Sequence, residues 1–209
     1  MRLGIFGGSF DPVHRGHLKL ASCCQQQEAL DQVWFTPTAI QPLKQQGPQA
    51  SHEDREAMLK LALSDYPQWR LCQQETKRGG VSFTVDTLEA IASQWPDANL
   101  FFLLGADTLR QLPSWKSPEI VCQLASPLVV RRAGEPGPDF SSLAPWIDPA
   151  QIREIERHQI EMPAMPISSS QIRRRVAQGG SLEGLVPPAV AQYITEHGLY
   201  REVLPGLTV

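Results

Sequence analysis

The chain has 209 residues, of which 42% are hydrophobic and 20% are charged, a composition that suits one folded domain with a packed core. A net charge of −3 disfavours proteins that bind nucleic acid through a basic surface. No apolar run reaches the roughly 18 residues that a membrane span needs, and the four cysteines lack the spacing of a zinc site or disulfide framework. We therefore expect one cytoplasmic domain over residues 1–209, without nucleic-acid or membrane partners.

Short apolar segments alternate with amphipathic ones along the chain. Strands are predicted at residues 2–6, 33–36, 70–73, 99–104, 128–130 and 159–162. Helices are predicted at residues 17–30, 52–63, 85–95, 172–178 and 188–197, with Ser51 and Thr84 as N-caps. Residues 135–149 contain four prolines and are expected to form an exposed excursion. The alternation predicts an α/β fold, a doubly wound and mostly parallel sheet with helices on both faces and a small C-terminal helical part.

The first predicted strand runs directly into the segment GGSFDPVHRGH, residues 7–17. Two glycines let the backbone turn and approach a ligand, and the amides that follow can point at an anion. Two histidines three positions apart share one face of a helix that begins there, and imidazoles can donate hydrogen bonds to phosphate. The segment matches neither a Walker A loop nor G-x-G-x-x-G. We interpret it as a polyphosphate site whose candidate contacts are Gly7, Gly8, Ser9, Phe10, His14 and His17.

Two other interpretations of this segment remain open from the residues themselves. It is a tight turn with incidental histidines, or it is a metal site. The metal site is the weaker alternative because no third ligand of the right kind lies near His14 and His17.

A second segment with phosphate-binding character is ISSSQIR, residues 167–173. Three hydroxyls precede a predicted helix, where backbone N–H groups are free and the helix dipole favours anions. Arg173 adds a forked donor that suits phosphate, although a solvated charge run at a helix start is the alternative. The candidate ligand contacts here are Ile167, Ser168, Ser169 and Arg173.

Together the two segments carry a specific resemblance. GGSFDPVHRGH resembles the signature of the H-x-G-H nucleotidylyltransferase superfamily, and ISSSQIR resembles its I-S-S-T-x-I-R motif, with Ser170 in place of Thr. Five further segments resemble the bacterial nicotinate mononucleotide adenylyltransferases: Asp54-Arg55 with Met58, SFTVDTL at 82–88, GADTL at 105–109 with Trp115 after it, RRAG at 131–134, and the C-terminal stretch 185–200. This chain departs from that pattern at Phe83, at Ala133 and in residues 41–44, where only Lys44 matches.

The resemblance implies that ATP and nicotinate mononucleotide give deamido-NAD and pyrophosphate. It implies His14, His17 and Arg173 as catalytic residues that stabilise charge, and Mg²⁺ that arrives with ATP. Because a phosphate monoester is already ionised at pH 7, no general base is needed, so Asp11 is expected only to order an Asp-Pro turn. The implied mononucleotide contacts are Lys44, Thr84, Gly105, Asp107, Trp115 and Arg132.

Each acceptor-side residue also has a structural interpretation. Trp115 is either a platform for the pyridine ring or a core aromatic, and Arg132 is either a phosphate ligand or a surface charge. Two other functions stay open: phosphopantetheine adenylyltransferase, a family that usually has Thr where His14 stands, and a non-catalytic nucleotide sensor on the same fold. The oligomeric state, monomer or homodimer, is also open.

Overall fold

The structure is a computed structural model that describes residues 1–42, 47–134 and 136–201. In these ranges six strands form one parallel sheet in the order β3-β2-β1-β4-β5-β6. Their bounds are Arg2–Gly8 (β1), Gln32–Pro37 (β2), Trp69–Leu71 (β3), Asn99–Gly105 (β4), Ala125–Arg132 (β5) and Ile160–Met162 (β6). The predicted parallel, doubly wound sheet is confirmed.

Helices connect the strands and cover both faces of the sheet. They are Arg15–Gln27 (α1), His52–Leu63 (α2), Gln74–Arg78 (α3), Thr84–Gln94 (α4), Ala106–Leu109 (α5), Pro118–Leu124 (α6), Pro149–Arg157 (α7), Ser169–Ala177 (α8) and Pro188–Glu196 (α9), with 3₁₀ turns at Leu112–Ser114 and Phe140–Leu143. No helix of the described ranges is long and apolar enough to cross a membrane. All four cysteines have free thiols.

The core has two layers because successive strand residues point to opposite faces of the sheet. In β1, Leu3 and Ile5 pack in the layer formed with α4, α6 and α7. Phe6 packs in the other layer, with α1, α2, α8 and α9. The second layer therefore joins both helices that begin at the phosphate-binding motifs, α1 and α8, to a common apolar core.

Several predicted details are wrong in the structure. Thr84 is the first residue of α4 rather than its N-cap; Phe83 occupies that position and makes no side-chain cap bond. The region predicted as an exposed excursion buries Leu143, whose 3₁₀ turn packs beside α7. By contrast, Ser51 caps α2 as predicted, accepting from the Asp54 N–H at 3.0 Å.

Candidate active site

Four strands end at one edge of the sheet. Since β1, β4, β5 and β6 are parallel neighbours, their carboxyl ends at Gly8, Gly105, Arg132 and Met162 lie along the same rim. The chain order reverses between β1 and β4, and such a switch point leaves a crevice outside the strand ends where ligands bind in open α/β sheets.

The two glycines of the first motif do not make the turn that follows β1. Gly7 and Gly8 stay in the strand, and the left-handed residue is Phe10, with φ of 47°. The Phe10 ring is buried against Phe6 and Phe35, so only its backbone can face a ligand. A Cβ on Gly8 would lie 3.1 Å from that ring, whereas one on Gly7 would meet nothing within 4 Å. Gly8 therefore makes room for Phe10, and Gly7 leaves open space at the rim.

His14 and His17 cap the start of α1 together. The Nδ1 of His14 accepts from the His17 N–H at 3.4 Å, and the Nδ1 of His17 accepts from the His14 N–H at 3.3 Å. A ring nitrogen that accepts a hydrogen bond carries no proton, so the proton of each ring is on Nε2. A Cβ on Gly16 would lie 3.0 Å from the His14 ring, so the space left by this glycine is taken by that imidazole rather than by a bulky ligand.

Burial keeps the His14 imidazole neutral. Desolvation, and next the positive charge of Arg132, lower the pKa of His14 to about 4. Its side chain is 6% exposed, which agrees with desolvation as the main cause. At neutral pH His14 therefore offers an Nε2–H donor without a formal charge.

The helix α8 meets the histidine loop directly. Ser168 is the N-cap of α8 and accepts from the Gln171 N–H at 3.3 Å. The Ser169 hydroxyl donates to the Pro12 carbonyl at 2.9 Å, and Nη1 of Arg173 donates to the Asp11 carbonyl at 2.7 Å. The two motifs, about 160 residues apart in the chain, thus face each other across the rim.

A cavity of about 330 Å³ lies between these motifs. Its lining contains both polar and apolar residues. The polar ones are His14, His17, Arg132, Ser168, Ser169, Ser170 and Arg173. The others are Gly16, Leu20, Met162, Met165 and Ile167. Such a mixed lining suits a ligand that has both a phosphate chain and an aromatic base.

Sequence reasoning did not identify part of this lining. Leu20, Met162 and Met165 were absent from the predicted site, although Met162 ends the last strand at the rim and Met165 follows shortly after it. Arg132, predicted for the mononucleotide, lies in the same cavity as the residues predicted for ATP.

Two buried charged side chains hold the loop that follows β1. Asp11 is 3% exposed and accepts from the N–H groups of Gln49 and Ala50, at 2.8 and 3.1 Å. This corrects the expectation that Asp11 only orders its own turn, because its partners lie in another loop. Arg55 is fully buried and donates to the carbonyls of Ser9 and Thr38, at 2.7 and 2.8 Å. It therefore ties the first loop to the segment after β2.

The acceptor-side residues form a second group on the rim. Trp115 follows a 3₁₀ turn, with its ring 6.2 Å from that of Phe102. The next residue, Lys116, binds Asp86 at 2.7 Å and lies over the Phe83 ring at 4.9 Å. These contacts bring the Trp115 segment to the first turn of α4, which Thr84 opens.

The other acceptor-side predictions have different environments. Gly105 ends β4 and is the N-cap of α5. Asp107 is largely exposed and pairs with Arg110. Lys44 lies outside the described residues.

The site has the charge of an anion receptor. Across residues 1–42, 47–134 and 136–201, no group of three or more His, Cys, Asp or Glu side chains could hold a metal ion. The cavity is lined instead by arginines, imidazoles and hydroxyls. Its donors match a polyphosphate, whose own oxygens would hold a divalent cation.

The cytidylyltransferase-like family model matches residues 5–175. The chain belongs to this family. It is 42% identical to a probable nicotinate-nucleotide adenylyltransferase of Rhodopirellula baltica, over 95% of this chain and 93% of the relative. It is 39% identical to one of Thermomicrobium roseum, over 99% and 96%. These matches confirm the predicted resemblance to the nicotinate mononucleotide adenylyltransferases.

Solved structures confirm the fold of this family member. The nicotinic acid mononucleotide adenylyltransferase of Plasmodium falciparum, complexed with APC, superposes with a TM-score of 0.71 over 95% of this chain and 96% of that one, at 17% identity. The structure titled as a putative nicotinate-nucleotide adenylyltransferase of Vibrio parahaemolyticus gives a TM-score of 0.63 at 18% identity, over 98% of each chain. At such identities the likeness concerns the fold alone.

Proposed function

We propose that the protein transfers the adenylyl group of ATP to nicotinate mononucleotide, giving deamido-NAD and pyrophosphate, as a step of NAD biosynthesis. The observation that carries this proposal is the meeting of the two motifs, in which Ser169 binds the Pro12 carbonyl and Arg173 binds the Asp11 carbonyl. Relatives that span nearly the whole chain carry the same activity in their names.

The cavity lining supports one proposed orientation of ATP. The triphosphate would contact the polar lining residues, with His14, His17 and Arg173 donating to its oxygens. The N-terminus of α8, the amides of Ser9 and Phe10, and the open space at Gly7 would complete its site. The adenine ring would pack against the apolar lining residues Leu20, Met162, Met165 and Ile167.

The chemistry needs positioning rather than a base. The acceptor phosphate has a second pKa of about 6 and is ionised at neutral pH. One of its oxygens attacks the α-phosphorus in line, and the bond from that phosphorus to the bridging oxygen breaks, so pyrophosphate leaves with the electron pair. The Nε2–H donors of His14 and His17 and the guanidinium of Arg173 stabilise the charge that develops on the oxygens. Mg²⁺, held by the ATP phosphates and water, would neutralise further charge.

The acceptor site lies at the first turn of α4. The amides near Thr84 are among the unpaired N–H groups of that helix and suit the nicotinate carboxylate. Trp115 offers its ring to the pyridine, and Gly105 and Asp107 lie where β4 ends, within range of the ribose. Arg132 lines the same cavity as His14 and suits the mononucleotide phosphate. Lys44 is proposed as a further phosphate contact from the resemblance alone.

Parallel assays distinguish the candidate functions. Pyrophosphate release is measured with ATP and Mg²⁺ and, in separate reactions, nicotinate mononucleotide, nicotinamide mononucleotide or phosphopantetheine. The proposal expects the highest kcat/KM with nicotinate mononucleotide. Preference for phosphopantetheine would overturn it in favour of the other adenylyltransferase. Tight ATP binding without turnover on any acceptor would favour the nucleotide sensor.

A further inference from the structure

The far end of the chain reaches the support of the ATP loop. The phenol of Tyr200 donates to Oδ1 of Asp11 at 2.8 Å, across 189 positions of sequence. Both side chains are buried, Tyr200 at 9% exposure and Asp11 at 3%. The backbone of Tyr200 is left-handed, with φ of 61°, a conformation that is unfavourable for a residue with a Cβ. Surrounding contacts must compensate for such strain, and the bond to Asp11 is one of them.

Asp11 needs this donor because its carboxylate is buried. Oδ1 accepts from the Ala50 N–H as well as from Tyr200, and Oδ2 accepts from the Gln49 N–H. Burial, and next the Asp11 charge, raise the pKa of Tyr200, so the phenol stays protonated and donates throughout the physiological range. Without the phenol, Oδ1 would keep one neutral donor at a position from which water is excluded.

Asp11 in turn holds Arg173. Nη1 of Arg173 lies 2.7 Å from the Asp11 carbonyl oxygen and 3.5 Å from its Oδ2. A shift of the Asp11 side chain or backbone therefore moves the guanidinium that faces the cavity. Tyr200 is not part of the cavity lining, so any effect on the ligand passes through Asp11.

We propose that Tyr200 is a positioning residue for the triphosphate site, acting through Asp11 on Arg173. The inference rests on the proposed function, because it takes ATP as the ligand of Arg173. A positioning role of Tyr200 differs from a purely structural role in one respect. A structural contact changes how much protein is folded, whereas a positioning contact changes the kinetic constants of the folded protein.

A matched control exists in the same C-terminal part of the chain. Tyr193 of α9 donates from its phenol to Oδ1 of Asp54 in α2, at 3.0 Å. This bond also joins the C-terminal part to an aspartate, but Asp54 makes its other side-chain contacts with Ser51 rather than with the ATP loop. Tyr193→Phe therefore removes a bond of the same chemistry without touching Asp11.

The experiment compares Tyr200→Phe with Tyr193→Phe. For Tyr200→Phe we expect kcat/KM for ATP to fall about tenfold, mainly through KM, since a guanidinium moved by a fraction of an ångström binds phosphate poorly. KM for nicotinate mononucleotide should stay within about twofold, because Tyr200 acts on the ATP side. Tyr193→Phe should match the wild type in kcat/KM for ATP, in KM for ATP and in KM for nicotinate mononucleotide. Equal ATP kinetics for the two variants would overturn the proposal.

A double-mutant cycle tests the route through Arg173. Arg173→Ala alone should lower kcat/KM for ATP strongly, and adding Tyr200→Phe should cost nothing further, because the positioned group is gone. A full additional loss in the double variant would exclude this route. If Arg173→Ala leaves the ATP kinetics unchanged, the role that the proposed function gives to Arg173 is wrong. If Arg173→Ala is impaired but Tyr200→Phe is not, only the role of Tyr200 is lost.

A second measurement tests the proposal even if Tyr200→Phe folds less stably than the wild type. The rise in Tm that saturating ATP produces is measured against each variant's own ligand-free Tm, which removes the difference in baseline stability. Asp11→Asn serves as the second variant, since it changes the acceptor and leaves Tyr200 intact. A smaller rise than in Tyr193→Phe supports the proposal, and a rise equal to it in both variants overturns it.

Discussion

The imidazole rings of His14 and His17 lie face to face, with centroids 3.7 Å apart and planes inclined by 19°. The stack exists because each Nδ1 accepts the backbone N–H of the other residue at the start of α1. In this tautomer the proton of each ring is on Nε2. The two side chains that cap the helix are thus also the proposed donors to phosphate.

The first prediction concerns His17. His17→Ala removes a donor aimed at the charge that develops during transfer, so kcat should fall by at least about 100-fold. The measurement is steady-state pyrophosphate release with saturating ATP and nicotinate mononucleotide. His197→Gln, which removes the exposed imidazole after α9, should leave kcat unchanged. A near-normal rate for His17→Ala would contradict its role.

The second prediction concerns His14 and acid stability. Burial, followed by Arg132, lowers the pKa of His14 from 6.5 to about 4, so the unfolded chain binds a proton in this range that the folded protein does not. The stabilising contribution is therefore complete above pH 6.5 and is lost as the pH falls towards 4. By pH 5 the loss amounts to about 2 kcal/mol of unfolding free energy.

His14→Asn isolates this contribution, because asparagine is a good N-cap and does not titrate. Urea unfolding of both proteins at pH 7 and pH 5 gives the difference. Other acidic groups affect the two proteins alike, so the wild type should lose about 2 kcal/mol more than the variant. Equal losses would mean that His14 is accessible to protons in the folded state.

The third prediction concerns His158, whose pKa is shifted in the opposite direction to that of His14. A hydrogen bond from Nδ1 to Glu28 at 2.7 Å is the main reason that the pKa of His158 is raised, with a smaller contribution from Glu154. The folded protein therefore holds this proton more tightly than the unfolded chain. Its stabilisation is present below the unfolded pKa near 6.5 and is lost as the pH rises through the higher folded value.

The size of the His158 effect is limited by solvent. Its side chain is 44% exposed, so the pair contributes at most about 1 kcal/mol. His158→Gln should be less stable than the wild type at pH 6 and equal to it at pH 9, by urea unfolding. The difference at pH 6 should shrink in 1 M NaCl, where exposed pairs are screened. A difference that grows with pH would contradict the ion pair.

Local patterns predicted the sheet because the strands are short and largely apolar segments. Four of the six end at a glycine, a proline or an arginine on the rim, namely Gly8, Pro37, Gly105 and Arg132. The site was predictable for a related reason: both motifs start helices directly after extended segments, and parallel strands bring such positions together. The helices α3, α5 and α6 were missed because they have seven residues or fewer, too short to show a periodicity. The nine-residue helix α7 was also missed; it begins at the last proline of the region predicted as an exposed excursion.

Long-range contacts account for the remaining differences. Asp11 looked like a turn residue because its neighbours in sequence are those of a turn, while its partners Gln49, Ala50 and Tyr200 lie 38 to 189 positions away. A sequence pattern contains no record of such partners. Likewise, Gly7 and Gly8 look equivalent in the sequence, and only the position of the Phe10 ring distinguishes them.

The fourth prediction uses that distinction between the glycines. Gly8→Ala places a Cβ 3.1 Å from the buried Phe10 ring and should destabilise the protein by about 1–3 kcal/mol. Gly7→Ala meets no protein atom within 4 Å, so its unfolding free energy should change by less than about 0.5 kcal/mol. If the open space at Gly7 admits the triphosphate, KM for ATP should nevertheless rise about tenfold.

Urea unfolding and ATP kinetics on the same two variants check this prediction. A stable Gly7→Ala variant with wild-type KM for ATP would show that the triphosphate does not approach β1. The Gly8→Ala variant reports only on packing, so its kinetics do not enter the comparison.

The fifth prediction concerns Trp115 and the acceptor ring. If the indole stacks on the pyridine, Trp115→Ala should raise KM for nicotinate mononucleotide about five- to tenfold, as expected for the loss of an aromatic pair worth about 1 kcal/mol. KM for ATP should not change. The control is Trp146→Ala, which removes a partly exposed indole elsewhere in the chain.

The ratio of kcat/KM for nicotinate and nicotinamide mononucleotides should stay constant in Trp115→Ala, because both rings stack while only the α4 amides are proposed to bind the carboxylate. A changed ratio with an unchanged KM would assign the discrimination to Trp115 and remove it from the first turn of α4.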